Sequence, residues 1–156
     1  MPSNSLRGFT LGGFFIMAKK PKLTTLKKKL DKVHSYYVRL RDTDSNGYGD
    51  CVSCGTTLEW SQGQNGHFRP RQHLSTRWEY TNTHLQCSRC NCWGGGESYL
   101  YAKELDRRYY KGKADELVAQ SREFRKFMIF EYQELIAEYT EKCKELLKDK
   151  NFDLKL

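Results

Sequence analysis

Long apolar runs are missing from this chain, and its middle is short of aliphatic side chains. No stretch approaches the ~20 consecutive apolar residues that a membrane helix requires, so the sequence offers no transmembrane span. No internal repeat is present, which excludes solenoid and propeller arrays. From about Asp42 to Gly96 the chain is rich in Gly, Asn, Gln and Ser instead. Such a segment buries too little apolar surface to fold unaided, so a metal staple is expected within it. Hydrophobic residues are 38% of the 156 and mean hydropathy is −0.81. That length suits one domain, or a small domain with appended helices.

What the middle does contain is cysteine in two pairs, Cys51-x-x-Cys54 and Cys87-x-x-Cys90. Two such knuckles make a tetrahedral thiolate site for a structural Zn²⁺. Two disulfides are the alternative, and the lysine-rich composition favours reduced thiols and zinc. Cys92 reads as a spare thiol and Cys143 as a small apolar filler.

Charge is strongly positive, +8 at neutral pH, which points to a polyanionic partner. Seven lysines and one aspartate fall between Lys19 and Lys32. Lys27, Lys28 and Lys29 from that run are expected to make salt-sensitive contacts to the phosphates of a nucleic acid. Arg39, Arg41, Arg69, Arg71, Arg77 and Arg89 gather around the cysteine segment, where arginine gives directional phosphate contacts.

Residues 1–22 read as a flexible basic leader. Leu11 to Ala18 has the look of a short signal-peptide core, yet Lys19 and Lys20 follow at once, and Met17 offers an alternative start. Spacings of three and four predict a helix over Leu23–Arg41, with Thr24 or Thr25 as its cap. Asp42 to Asp50 is a turn cluster. It opens like a calcium loop, but Ser53 stands where the bidentate Glu belongs. Thr56–Trp60 is a short strand, Gly63–Gly66 a hairpin turn, and His67-Phe68 the start of the next strand. A helix begins near Cys87, another spans about Ser98–Tyr110, and a long one runs from about Ala114 to Lys150. The apolar stripe of the last helix serves either self-association or packing on its own domain. Trp60, Trp78, Tyr80 and Trp93 either pack the core or stack on unpaired bases, core packing being the default.

Phosphodiester hydrolysis needs an activated water, charge relief on phosphate and help for the departing oxygen. A neutral histidine, arginines and a hard cation on oxygen ligands supply these. His67, Arg69, Arg71 and Asn91 lie in one short stretch around the cysteines. The ordered set Cys51-x-x-Cys54, Gly66-His67-Phe68-x-Pro70-Arg71, then Asn82 before Cys87-x-x-Cys90-Asn91, resembles the zinc-stapled HNH, or ββα-metal, nucleases. It is most similar to the phage NinG/Rap recombination nucleases. That resemblance also takes in Ser35–Asp42, Ser75–Arg77, the Gly94–Gly96 run and the helix after it, about residues 25–120.

The resemblance implies an α+β fold, with a small zinc-stabilised ββα-metal core flanked by an N-terminal helix and long C-terminal helices. It implies a zinc-stapled nuclease domain over 23–112 and a C-terminal helical element over 113–156 that offers a dimer contact. The implied activity is metal-dependent endonuclease cleavage of branched recombination intermediates, D-loops and Holliday-type junctions. His67 would be the general base, Asn82 would orient it or brace the site, and Asn91 would ligate a catalytic Mg²⁺ or Mn²⁺. Arg69, Arg71 and Arg77 would hold phosphate. DNA, a second copy, and phage or host recombination proteins are the implied partners, in the cytoplasm of a bacterial host. Many HNH nucleases place an acidic ligand before the base histidine; Gly66 stands there, and His73 and His84 are substitutes to consider. Read apart from the resemblance, His67 could support the zinc loop, Asn82 could cap the second knuckle, and Asn91 could be a turn residue. His34 reads as solvated or DNA-facing. A non-catalytic zinc-knuckle accessory protein is the alternative function.

Overall fold

Packing of the first helix on the last organises the molecule. The computed structural model describes residues 21–152; the leader, apart from Pro21 and Lys22, and the alternative start at Met17 lie outside them. Helix α1 spans Leu23–Arg41, matching the periodicity of its apolar residues. Neither threonine caps it. The helix starts directly after Lys22, whose carbonyl accepts from the backbone N–H of Thr25 and Leu26.

Two small antiparallel sheets follow. Strands β1 (Tyr48–Asp50) and β2 (Thr57–Glu59) form one. Strands β3 (Gln64–His67) and β4 (Thr83–Gln86) form the other, with Gly66 opposite His84 and His67 opposite Thr83. The Gly63–Gly66 segment is therefore mostly strand and not the expected hairpin turn. Its glycines serve close approach. A Cβ at Gly63 would meet Leu85 Cδ1 at 2.2 Å, and one at Gly66 would meet Gln86 Oε1 at 2.3 Å and Gln86 Cβ at 2.7 Å.

A wide helical turn, Arg89–Trp93, carries the second knuckle. Helix α2 (Ser98–Arg108) and helix α3 (Lys113–Ser121) pack together through Tyr101, Leu105, Ala114 and Leu117, with Val52. The buried face of α2 is Tyr101 and Leu105, while Leu100 is 40% exposed.

The long C-terminal helix is two helices. Helix α3 ends at Ser121 and α4 runs over Ile129–Lys148. No Gly or Pro marks the break. One straight rod could not pack on α2 and also on α1, and Phe127 leaves the helical path to meet Trp78, ring centroids 5.3 Å apart. Glu131 then reaches back to accept from the Met128 N–H at 2.7 Å, starting α4. The α4 stripe (Tyr132, Ile136, Tyr139, Cys143) lies against Leu26, Leu30 and Tyr37 of α1 in the same chain. It thus takes the second of its two readings. No helix among the described residues is long and apolar enough to cross a membrane.

Candidate functional site

The four thiols of Cys51, Cys54, Cys87 and Cys90 are free. Their Sγ atoms all lie within 4.8 Å of one another, with Cys54 and Cys87 at 3.8 Å. A tetrahedron of thiolates about 2.3 Å from Zn²⁺ has edges of about 3.8 Å, so the donor set fits a structural zinc ion. The backbone N–H of Cys87 points at Cys51 Sγ, 3.4 Å away, as a supporting shell would. Burial pushes the Cys51 and Cys90 thiols up. At Cys54 burial also opposes ionisation, but hydrogen bonding with Thr56, Cys51 and Cys90 together outweighs it and draws the thiol down to about 6. Crowded thiolates of this kind call for a cation between them. Among the described residues this is the one His/Cys/Asp/Glu cluster with metal-ligand geometry.

Next to the cysteines, an open cleft of about 370 Å³ is lined by Asn65, His67, Pro70, Arg71, Asn91, Gly95 and Gly96. Strand β3 supplies Asn65 and His67, the following loop Pro70 and Arg71, and the helical turn Asn91. His67 Nδ1 is 3.2 Å from the carbonyl of Asn65, and its Nε2 is 3.1 Å from that of Arg77. Burial, then the positive charge of Arg71, lowers its pKa to about 4, so the ring is neutral at pH 7. A neutral imidazole has one N–H, so only one carbonyl receives a hydrogen bond and the other faces a lone pair. Asn91 Nδ2 donates to Gln64 Oε1 at 2.6 Å, which leaves its Oδ1 as a hard oxygen donor at the cleft. A larger hollow of about 620 Å³ lies between Cys51–Gly55 and α2, but holds none of the signature residues besides the cysteines themselves.

Cysteines, cleft and flanking helices all fall within residues 16–149, which match the family described as Bacteriophage Lambda NinG protein. The chain belongs to the NinG family. It is 32% identical over 131 residues to Protein ninG of Escherichia phage lambda, covering 83% of this chain and 61% of that protein. Protein ninG of Escherichia phage 933W is 30% identical over 83% of this chain and 62% of its own length. Protein ninG of Salmonella phage P22 is 30% identical over 83% and 61%. The chain thus spans about three fifths of the curated relatives it matches. No solved structure matches it.

The other site residues expected from the sequence do not line the cleft. Asn82 is buried and braces the loop: Oδ1 accepts from the Arg69 N–H at 2.7 Å, and Nδ2 donates to the carbonyls of Arg69 (3.1 Å) and Thr76 (2.9 Å). Arg69 Nε donates to Ser121 Oγ at 3.1 Å. Arg77, expected on phosphate, makes a two-pronged ion pair with Asp31 of α1, at 2.9 and 2.6 Å. That pair ties the loop to α1. Lys28 and Lys29 are exposed on α1, and Lys27 is one turn from Asp31.

One histidine expectation needs correction, and the two substitute ligands, His73 and His84, each more readily exposed or structural, are not brought to the cleft. His34 is fully buried, and Asn65 Nδ2 donates to its Nδ1 at 3.2 Å. It backs β3 and is not solvated, because α1 turns this face to the sheet. His84 lies on the sheet face opposite to His67. It receives a hydrogen bond from the Tyr109 hydroxyl (2.8 Å) and contacts that of Tyr101 (3.1 Å), which donates to the Gly66 carbonyl at 3.2 Å. It braces Gly66 and offers no ligand to the cleft. His73 contacts Gln72 and is not among the residues lining the cleft. At Gly66 the space for a side chain is filled by Gln86, which donates to Ser53 Oγ and the Gly96 carbonyl, both at 2.8 Å.

Sequence reasoning missed Gln64, Asn65, Gln86 and the Arg41–Asp42 pair. Arg41 donates to the carbonyls of Tyr80 and Thr83, and Asp42 accepts from the Leu85 N–H. The polar run at 63–66 was the available signal, and it resembled a turn.

Proposed function

We propose that this chain is a metal-dependent DNA endonuclease of the HNH type, acting on branched recombination intermediates, with a ββα-metal core formed by β3, β4 and the Arg89–Trp93 turn. The observation that carries the reading is the convergence of neutral His67, Arg71 and Asn91 on one cleft beside the cysteine cluster. With Nδ1–H donating to the Asn65 carbonyl, Nε2 holds the lone pair. It takes the proton as a water oxygen bonds to phosphorus and the bond from phosphorus to the leaving oxygen breaks. Asn65, anchored on His34, fixes the ring, and Arg71 offsets charge on the phosphate. In the free protein Nε2 faces the Arg77 carbonyl, so productive binding turns the ring or admits water between them. Asn91 Oδ1 would hold the catalytic Mg²⁺ or Mn²⁺, which when bound would relieve charge on the leaving oxygen. The side chains lining the cleft include no carboxylate, so such a cation would draw its charge balance from DNA phosphate.

The test is cleavage of labelled four-way junction, D-loop and linear duplex in Mg²⁺ or Mn²⁺, by wild type and His67→Ala. Junction cutting that falls by about 100-fold or more in a folded, zinc-loaded variant is the expected result. The second reading is a non-catalytic accessory protein, favoured by Gly66 and by the carbonyl facing Nε2. It predicts tight junction binding with no cutting by either protein.

A further inference from the structure

Two strongly exposed aromatic side chains stand outside every core cluster, Trp93 beside the cleft and Phe124 in the loop between α3 and α4. Trp93 is 85% exposed and Phe124 is 93% exposed. The other tryptophans are engaged: Trp78 is buried against Phe127 and Tyr132, and Trp60 stacks on Phe152 at 5.3 Å. Isolated exposed apolar residues are ordinary on a protein surface; position and anchoring distinguish this pair.

Trp93 sits between Asn91 and Gly95, two residues that line the cleft. Its turn is held by the Gly94 N–H on the Arg89 carbonyl (2.7 Å) and the Gly96 N–H on that of Cys90 (2.9 Å). Phe124 lies in the break between α3 and α4. That loop is tied at its start to the segment that follows β3: Ser121 accepts from Arg69, the neighbour of Pro70, and Gln120 donates to the Ser75 carbonyl. At its end it is fixed by Phe127 on Trp78 and by Arg125 on Glu131 at 2.6 Å. Arg122, Arg125 and Lys126 surround Phe124 and are exposed.

We propose that Trp93 and Phe124 are stacking platforms for bases left unstacked where a DNA duplex branches. The inference rests on the nuclease reading and assigns the part of the surface that reads the branch. Aromatic faces accept any base, and flanking cations hold the backbone beside them. A continuous duplex keeps its bases stacked on one another and offers the two rings nothing. Discrimination then arises without base-edge contacts, in keeping with a preference for shape over sequence.

Affinity is measured for a four-way junction with 2-aminopurine at the crossing and for linear duplex of the same sequence. Full-length, zinc-loaded protein is used without added Mg²⁺ or Mn²⁺. Wild type is expected to favour the junction and change the 2-aminopurine emission. Trp93→Ala and Phe124→Ala are each expected to lower junction affinity by about 5- to 100-fold and leave duplex affinity unchanged. Both side chains are exposed, so neither truncation disturbs the core. Junction preference and emission unchanged in both variants would overturn the inference while leaving the DNA reading intact. Wild type that binds neither DNA would overturn both. A wild-type dimer that Phe124→Ala splits, with junction preference retained, would make Phe124 a protein contact instead.

Discussion

Asn82 shows how far one side chain reaches. It has no contact with His67, yet it holds both backbone groups of Arg69 and the carbonyl of Thr76, and so shapes the loop that carries Arg71 to the cleft. Asn82→Ala leaves three backbone groups without their partner, one buried and two half-buried, and is expected to cost about 2–4 kcal/mol of folding stability. Urea denaturation measures this, and a loss within 0.5 kcal/mol, the ~0.5 kcal/mol scatter of surface substitutions, would refute the bracing role. The residues that meet at the cleft were visible as residue types in order: a histidine, an arginine and an asparagine threaded among zinc-spaced cysteines. The residues that support them were not. His34 and Asn65 are 31 positions apart, and nothing local marks either as the other's partner. Arg77 looked like a phosphate contact because its charge was legible and its ion pair with Asp31 was not.

Among elements, strand pairing explains why glycine and not an acidic residue precedes His67. Antiparallel register sets Gly66 opposite His84 and brings Gln86 into the volume that a side chain at 66 would fill. Gly66→Asp is therefore expected to destabilise by about 1–3 kcal/mol through overpacking, and not to raise cleavage in Mg²⁺. Thermal melts and junction cleavage check the two halves; a variant at least as stable and faster than wild type would contradict the steric account. Helix α1 was legible to the residue, because a continuous apolar period reports itself. The division between α3 and α4 was not, since every residue from Arg122 to Met128 is compatible with helix. Only the two different surfaces that the halves must cover enforce the break. Gly63–Gly66 failed as a turn for a similar reason: the strand partner of β3 lies well downstream, beyond the reach of hairpin signals.

Across the whole molecule, His34, His67 and His84 are all held neutral, with pKa values lowered by burial to about 3, 4 and 3. The unfolded chain takes up protons near pH 6.5 and the folded chain does not. Stability is therefore complete above that value and declines as pH falls toward 3–4. With zinc saturating, unfolding free energy is expected to drop by about 4 kcal/mol from pH 7.5 to 5.5; His34→Leu removes about a third of that slope, and a flat profile would count against buried neutral rings. Zinc removal acts elsewhere. The α1–α4 core contains none of the four ligands, so chelation is expected to abolish junction cleavage while most of the helical circular dichroism persists. Complete cooperative unfolding would show that the two parts do not stand separately. That same α1–α4 contact imposes an order on synthesis. The ribosome makes α1 first, and its covering partner about 100 residues later, roughly 5–20 s at bacterial and eukaryotic elongation rates. Until then His34 lacks the Tyr139 ring that packs edge-on against it at 4.7 Å. A nascent chain thus carries His67, Arg71 and Asn91 before the surface behind β3 is complete, and the cleft settles only once α4 has been made.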